Sequence, residues 1–309
     1  MDEVIKKLVN RSLARFFEGA KTRSLGQLEP IRQETLEVLG RVASRQWRTY
    51  VVGGAIRDLL LAPPGSLPLP RDVDVIVDGC SSNDLESVFK DIKDIVVRRN
   101  SFGGLHLRRT VNVESFPTEQ YDLLFDVWRL EDTWTIKAQE LAPTIATFLS
   151  TSFLNIDSVA VALPADKRPA RVFERGFFHA ITNRTLEINS EHNPFPFVCV
   201  IRALILAAKL DFWIGPRLAY FIQDVASSAS ISELLQAQRS HYGQIRCRKR
   251  YISEWLETIR GQLKSGNRRV RLLNDQQRRL RLWQDWPPHS QLLEERANNN
   301  STLGSLERS

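Results

Sequence analysis

The stretch Val51-Val-Gly-Gly-Ala-Ile-Arg-Asp58, followed by Arg71-Asp-Val-Asp74, constrains this chain more than any other part of its sequence. Thr49-Tyr-Val-Val52 is a short apolar run that reads as a buried strand. Gly53-Gly54 ends it, and Ala55 to Leu61 suits a helix. Glycines at such a junction let the backbone approach a ligand closely. The N–H groups of the helix start, with Arg57 nearby, favour phosphate. Asp72 to Val77 then alternates acidic and apolar residues with the period of a strand. Residues i and i+2 of a strand point to one side, so Asp72 and Asp74 place two carboxylates together. Such a pair repels unless a cation lies between them. A divalent ion that prefers oxygen, Mg²⁺ or Mn²⁺, meets that need. A phosphate cradle with a metal-binding DxD points to nucleotidyl transfer. Metal ions there hold the triphosphate, lower the pKa of the attacking hydroxyl and stabilise the leaving pyrophosphate. Alone, the glycine pair is an ordinary tight turn and the DxD an ordinary solvated strand. In this order, with a short helix and a Pro-rich loop between them, they form a far more specific signal.

The rest of the chain places this signal in an α/β setting. Residues 3–18 and 30–46 read as amphipathic helices, the second with Ile31, Thr35, Val38, Leu39 and Val42 on one face. Residues 62–70 are a Pro-rich loop and 82–92 a helix. Leu105–Arg109, Tyr121–Val127 and Ser158–Leu163 suit further strands. From Pro194 the pattern turns helical, with candidates at 197–210, 216–226, 231–239, 243–263 and 271–283. The division expected is an N-terminal helical extension at 1–47, an α/β head at 48–165, a mostly helical neck at 166–238, a basic helical segment at 239–283 and a polar, disordered tail at 284–309.

The basic character is confined to one of these parts. The net charge is +7. Residues 1–238 carry −1, residues 239–283 carry +10 and residues 284–309 carry −2. A net of +10 in 45 residues exceeds what solubility needs and points to a polyanion. Arg246, Arg248, Lys249, Arg250, Arg268, Arg269 and Arg271 could track an RNA backbone, with Trp255 interleaved among them. Cys80, Cys199 and Cys247 are too far apart in sequence for a zinc motif or a disulfide framework. No secretory signal and no continuous apolar span is evident, so the expectation is a soluble, cytoplasmic protein without a membrane partner.

VVGGAIRDLLL followed by RDVDVIV resembles the head domain of the class II tRNA nucleotidyltransferases (CCA-adding enzymes) and bacterial poly(A) polymerases, within the DNA polymerase β-like superfamily. Ser152 to Val161 looks like a degraded RRDFTINALAV motif, and Ile201-Arg-Ala-Leu-Ile-Leu-Ala-Ala-Lys-Leu-Asp-Phe212 looks like the start of the family's neck helix. The likeness runs from about residue 48 to about 225. It implies a mixed sheet of about five strands, Asp72 and Asp74 as catalytic metal ligands, and Gly53, Gly54 and Arg57 at the triphosphate. It also implies a third carboxylate on a neighbouring strand, for which Asp126 is the first candidate and Asp122 the second. The partners implied are a nucleoside triphosphate and an RNA 3′ end, tRNA or tRNA-like.

The sequence departs from that family in two motifs and in length. The charged triplet before FTIN is Thr151-Ser-Phe153 here. The EDxxR motif, which reads the base edge of CTP or ATP in the family, is Phe195-Pro-Phe-Val-Cys199 here. Those side chains lack the donors and acceptors of base pairing. Fewer than a hundred residues follow the neck. Three readings therefore stand: an RNA nucleotidyltransferase with altered nucleotide choice, a nucleotidyltransferase acting on a protein or small molecule, and a non-catalytic RNA-binding regulator. His179 and His192 are expected to be structural, and the aromatic residues 173, 177, 178, 195, 197, 212 and 213 to form the core of the head–neck junction.

Overall fold

A computed structural model describes residues 29–45, 47–62, 72–92, 94–100, 103–112, 120–163 and 171–273. The expected helix at 3–18, most of the Pro-rich loop and the chain beyond residue 273 lie outside the described residues. The described chain divides into two compact units. One holds the residues up to Arg129 with Val161–Leu163 and Arg171; the other holds Leu130–Ala160 and everything from Val172 onward.

The first unit starts with α1 (Glu29–Ala43), β1 (Arg48–Val52), α2 (Gly54–Leu61), β2 (Asp72–Asp78) and α3 (Ser82–Ser87). Then come β3 (Ile95–Arg99), β4 (Leu105–Asn112) and β5 (Gln120–Arg129). With β6 (Val159–Leu163) and β7 (Arg171–Glu174) the sheet has seven strands in the order β3-β4-β5-β2-β1-β6-β7. Pairs β1–β2, β3–β4 and β4–β5 are antiparallel, and β2–β5 is parallel. The sheet is mixed, as expected, with two more strands than the five anticipated. The strand at 95–99 escaped the sequence reading because Val96, Arg98 and Arg99, which fall on both of its faces, are exposed and give no polar–apolar alternation.

Strand alternation sorts this sheet into two faces. Val73 and Val75 on β2, Leu123, Phe125 and Val127 on β5, and Leu105, Leu107 and Val111 on β4 are buried on one side. Each such side chain contributes about 1.5–3 kcal/mol by leaving water. Helix α1 lies against β1, β4 and β5. Its Ile31, Thr35, Val38, Leu39 and Val42 are all buried, the face that the spacing predicts. Arg109 on β4 pairs with Glu34 at 2.5 Å and Glu37 at 2.9 Å and ties the helix to the sheet. The opposite face carries Asp72 and Asp74 on β2, Asp122 and Asp126 on β5, and His106, Arg108 and Thr110 on β4.

The second unit is mainly helical: α4 (Trp134–Ala138), α5 (Ile145–Thr151), α6 (Phe177–Asn183), α7 (Pro196–Leu210), α8 (Pro216–Ser227), α9 (Ile231–Tyr242) and α10 (Lys249–Lys264). A parallel pair, β8 (Thr185–Leu186) and β9 (Trp213–Ile214), accompanies them. Helix α7 is the hub: nine of its 15 residues are buried, and α8, α9 and α10 all pack on it. The helix expected at 243–263 begins only at Lys249. Gly243 ends α9 in a left-handed conformation with φ 70°. Buried Gln238 then holds the connection, donating to the Cys247 carbonyl at 3.0 Å and accepting from the N–H groups of Arg246 and Cys247 at 3.1 and 2.8 Å.

Candidate active site

The head-unit site is built on the pairing of β1 with β2. Val52 stands opposite Asp74, so the chain leaves β1 and enters the glycine turn directly beside the second aspartate. Gly53 has φ 66° and ψ −124°, a conformation closed to residues with a Cβ. It caps α2 without any side-chain hydrogen bond, which leaves the N–H groups of the first turn directed outward. A Cβ on Gly54 would lie 3.3 Å from Nη2 of Arg57, so the missing side chain makes room for the guanidinium over the helix start. Arg57 is only 6% exposed, and its Nε donates to Asp58 Oδ1 at 2.9 Å.

Asp72 and Asp74 are half-buried on the open face, between buried Val73 and Val75. Across the parallel pairing Asp74 is in register with Asp126, and Asp72 with Leu124. Asp126 accepts a hydrogen bond from Nδ1 of His106 at 2.9 Å. Asp122 lies beyond the end of β2, where it accepts from Thr110 Oγ1 at 2.7 Å and pairs with Arg108 at 3.5 Å. The register thus brings Asp126 alongside Asp74 and leaves Asp122 apart. His106 went unnoticed in the sequence; its strand position opposite Asp126 is the signal that identifies it.

The residues present suit a small hard cation. Among the described residues no group of three His, Cys, Asp or Glu side chains is placed to hold a metal ion. Two adjacent carboxylates on a half-open face are nevertheless the set that Mg²⁺ takes when substrate phosphates complete its shell.

The positions of the two divergent motifs lie in the second unit. Thr151 ends α5, its hydroxyl donating to the Phe148 carbonyl at 2.8 Å. Phe153 is buried against Phe221, ring centroids 5.4 Å apart. Pro196 opens α7, and Cys199 is buried inside it, where burial pushes the thiol up to about 12. Phe195 is 46% exposed, contrary to the expectation that it belongs to a core.

The basic residues fall into distinct settings. Arg248 is the N-cap of α10, and Lys249 and Arg250 occupy its first turn, all exposed. Cations at a helix N-terminus oppose its dipole, so they are held there at some cost to stability. The Arg246 guanidinium lies 4.1 Å from the Tyr242 ring centroid. Arg268 and Arg269 are exposed, whereas Arg271 is bound to Asp211 through Nε at 3.1 Å and Nη2 at 2.7 Å.

No family model matches the sequence, and no curated protein matches it. Solved structures do match. A CCA-adding enzyme in complex with ATP aligns at a TM-score of 0.50 and 17% identity, over 79% of this chain and 52% of that one. The chain has the fold of a CCA-adding enzyme. The Thermotoga maritima CCA-adding enzyme complexed with tRNA aligns at 0.48 and 17% identity, over 70% of this chain and 48% of that one. A tRNA nucleotidyltransferase with a primer tRNA and an incoming ATP analogue aligns at 0.46 and 18% identity, over 74% and 60%. The chain spans about half the length of these enzymes.

Proposed function

We propose that this protein is a metal-dependent nucleotidyltransferase that transfers a nucleoside monophosphate from a triphosphate to an RNA 3′ end, tRNA or a tRNA-like acceptor. The register of Val52 with Asp74 carries this reading, because it joins a backbone phosphate cradle to a pair of carboxylates. The fold shared with a CCA-adding enzyme supports it. Gly53, Gly54 and Arg57 receive the triphosphate. Asp72 and Asp74 would hold Mg²⁺ or Mn²⁺, with Asp126 beside them, and such an ion would supply neutralisation of charge on the entering and leaving oxygens. His106 orients Asp126 from the neighbouring strand. The acceptor RNA lies along Arg246, Arg248, Lys249, Arg250, Arg268 and Arg269. Arg271, already engaged by Asp211, shapes that surface and adds less to it.

Incubation with Mg²⁺, total RNA and each labelled nucleoside triphosphate in turn tests the reading. RNA labelling that disappears in Asp72→Ala/Asp74→Ala and on chelation is the expected result; equal labelling by the double variant overturns it. A second reading, transfer to a protein or small molecule, is favoured by buried Cys199 and by Pro196 where base-reading side chains stand in the family. Label on protein or metabolite, with none on RNA, selects it.

A further inference from the structure

A cleft of about 560 Å³ opens in the second unit, away from every residue assigned above except Arg269. That volume is in the range of small-molecule sites. Two arginines face it, Arg175 beside the start of α6 and Arg269 beyond the end of α10. Both are exposed, and neither forms an ion pair among the described residues.

Glu187 is the only carboxylate among the described residues that line the cleft. Its oxygens are already occupied. They accept from the N–H groups of Ile188 at 2.8 Å, Leu218 at 2.7 Å and Arg217 at 3.3 Å. Its charge therefore sits on the N-terminal turn of α8, where the helix offsets it. With two arginines against this one carboxylate, the lining is net positive.

The walls are rigid. The strand-like segment that carries Arg269 is fixed by paired hydrogen bonds between Ile214 and Val270, 2.8 and 2.9 Å. It is fixed again by Gln262, which donates to the Arg271 carbonyl at 2.9 Å and accepts from the Arg271 N–H at 3.2 Å. The Arg269 guanidinium also stands 5.5 Å from the Trp213 ring centroid. On the other side Asn155 donates to the Thr185 carbonyl at 3.2 Å and accepts from the Glu187 N–H at 2.9 Å. His179, expected to be structural, lines the cleft and is exposed. Two forked cations on fixed backbone, between rigid walls, are suited to oxyanion recognition, while the His179 ring is engaged by Asn183 Nδ2 at 3.1 Å.

We infer that this cleft binds a phosphate-bearing nucleotide, free or at the end of an RNA strand, through Arg175 and Arg269. The inference does not rely on catalysis in the head; it shares Arg269 with the proposed RNA path, and Arg175, which that path does not use, is what sets it apart. The test uses the full chain in chelator, so that the head carboxylates hold no metal. Adenosine 5′-monophosphate, a five-nucleotide single-stranded RNA and adenosine are titrated by calorimetry. The expected result is binding of at least one phosphate-bearing probe and far weaker binding of adenosine. Arg175→Ala/Arg269→Ala is expected to lower that affinity about tenfold or more. The Arg175→Gln/Arg269→Gln chain, which keeps the side-chain length, is expected to show the same loss with an unchanged melting temperature. Binding of the monophosphate assigns the phosphate to a free nucleotide; binding of the pentamer alone assigns it to RNA. Absence of binding by both phosphate-bearing probes, equal binding of adenosine, or affinity unchanged in both double variants overturns the inference.

Discussion

His106 Nδ1 lies 2.9 Å from a carboxylate oxygen of Asp126, which itself stands in register with Asp74 on the neighbouring strand. A carboxylate only accepts, so Nδ1 of this histidine carries the proton. The bond fixes which way the third acid points before any ligand arrives. If Asp126 completes the catalytic set, Asp126→Asn lowers the rate of RNA labelling about a hundredfold, the equivalent of losing about 2.7 kcal/mol of charge stabilisation. Asp122→Asn, tied instead to Thr110 and Arg108, leaves the rate within about threefold. Single-turnover labelling of the two variants side by side decides the matter.

Replacing Gly53 by alanine tests the cradle. At φ 66° and ψ −124° a Cβ brings strain of about 1–3 kcal/mol, and the turn either opens or destabilises the head. Thermal unfolding is expected to shift down, and triphosphate binding, read by fluorescence quenching, to weaken by more than the stability loss explains.

Gln238→Leu removes the clamp between α9 and α10. Three backbone groups, two of them on Cys247, lose their partner in a buried site. The cost is about 3 kcal/mol, visible as a lower urea midpoint. Hydrogen exchange is expected to speed up first at Arg246 and Cys247.

The three thiols are expected to separate cleanly by reactivity. Burial raises Cys199 to about 12 and Cys247 to about 11, so at pH 8 about one thiol in ten thousand and one in a thousand are ionised. Cys80 is only partly buried. A native-state titration with a chromogenic disulfide reports one fast equivalent, rising to three in denaturant; two fast equivalents would contradict the packing of α7 or of the α9–α10 connection.

Helix α9 carries a pH-dependent cap. Ser230 and Glu233 form a reciprocal capping box, and the hydrogen bonds from the Ser230 N–H and hydroxyl hold the Glu233 carboxyl below its ordinary value. A depressed carboxyl stabilises the fold at pH above its unfolded value and loses that contribution as pH falls through the folded one. Ser230→Ala is expected to cost about 1 kcal/mol at pH 7 and less at pH 3. Chemical denaturation at the two values checks the sign.

The sequence made the head legible where chemistry and periodicity coincide. Val51 to Leu61 and Asp72 to Val77 announce strand, turn, helix and strand through residues that few other conformations accommodate. Helices α7, α8 and α9 were legible because their apolar residues recur every three to four positions. What stayed hidden depends on distant partners. Nothing local says that Asp126 rather than Asp122 reaches Asp74, since strand register decides it. Gln238 looks like any polar residue on an amphipathic helix until the loop folds over it. His179 and Arg175 acquire a shared setting only because the second unit folds Glu187 onto α8 beside them.

The two acids of β2 also bear on how the head assembles. A strand has a period of two, so pairing β1 and β2 one residue out of step would turn Asp72 and Asp74 onto the face now filled by Val73 and Val75. Two carboxylates would then enter a dry interior without partners, a penalty of several kcal/mol for each. Mispaired arrangements of the sheet would thereby be disfavoured by the same side chains proposed to bind the metal. A variant that neutralises both would also remove this safeguard against pairing β1 and β2 out of register.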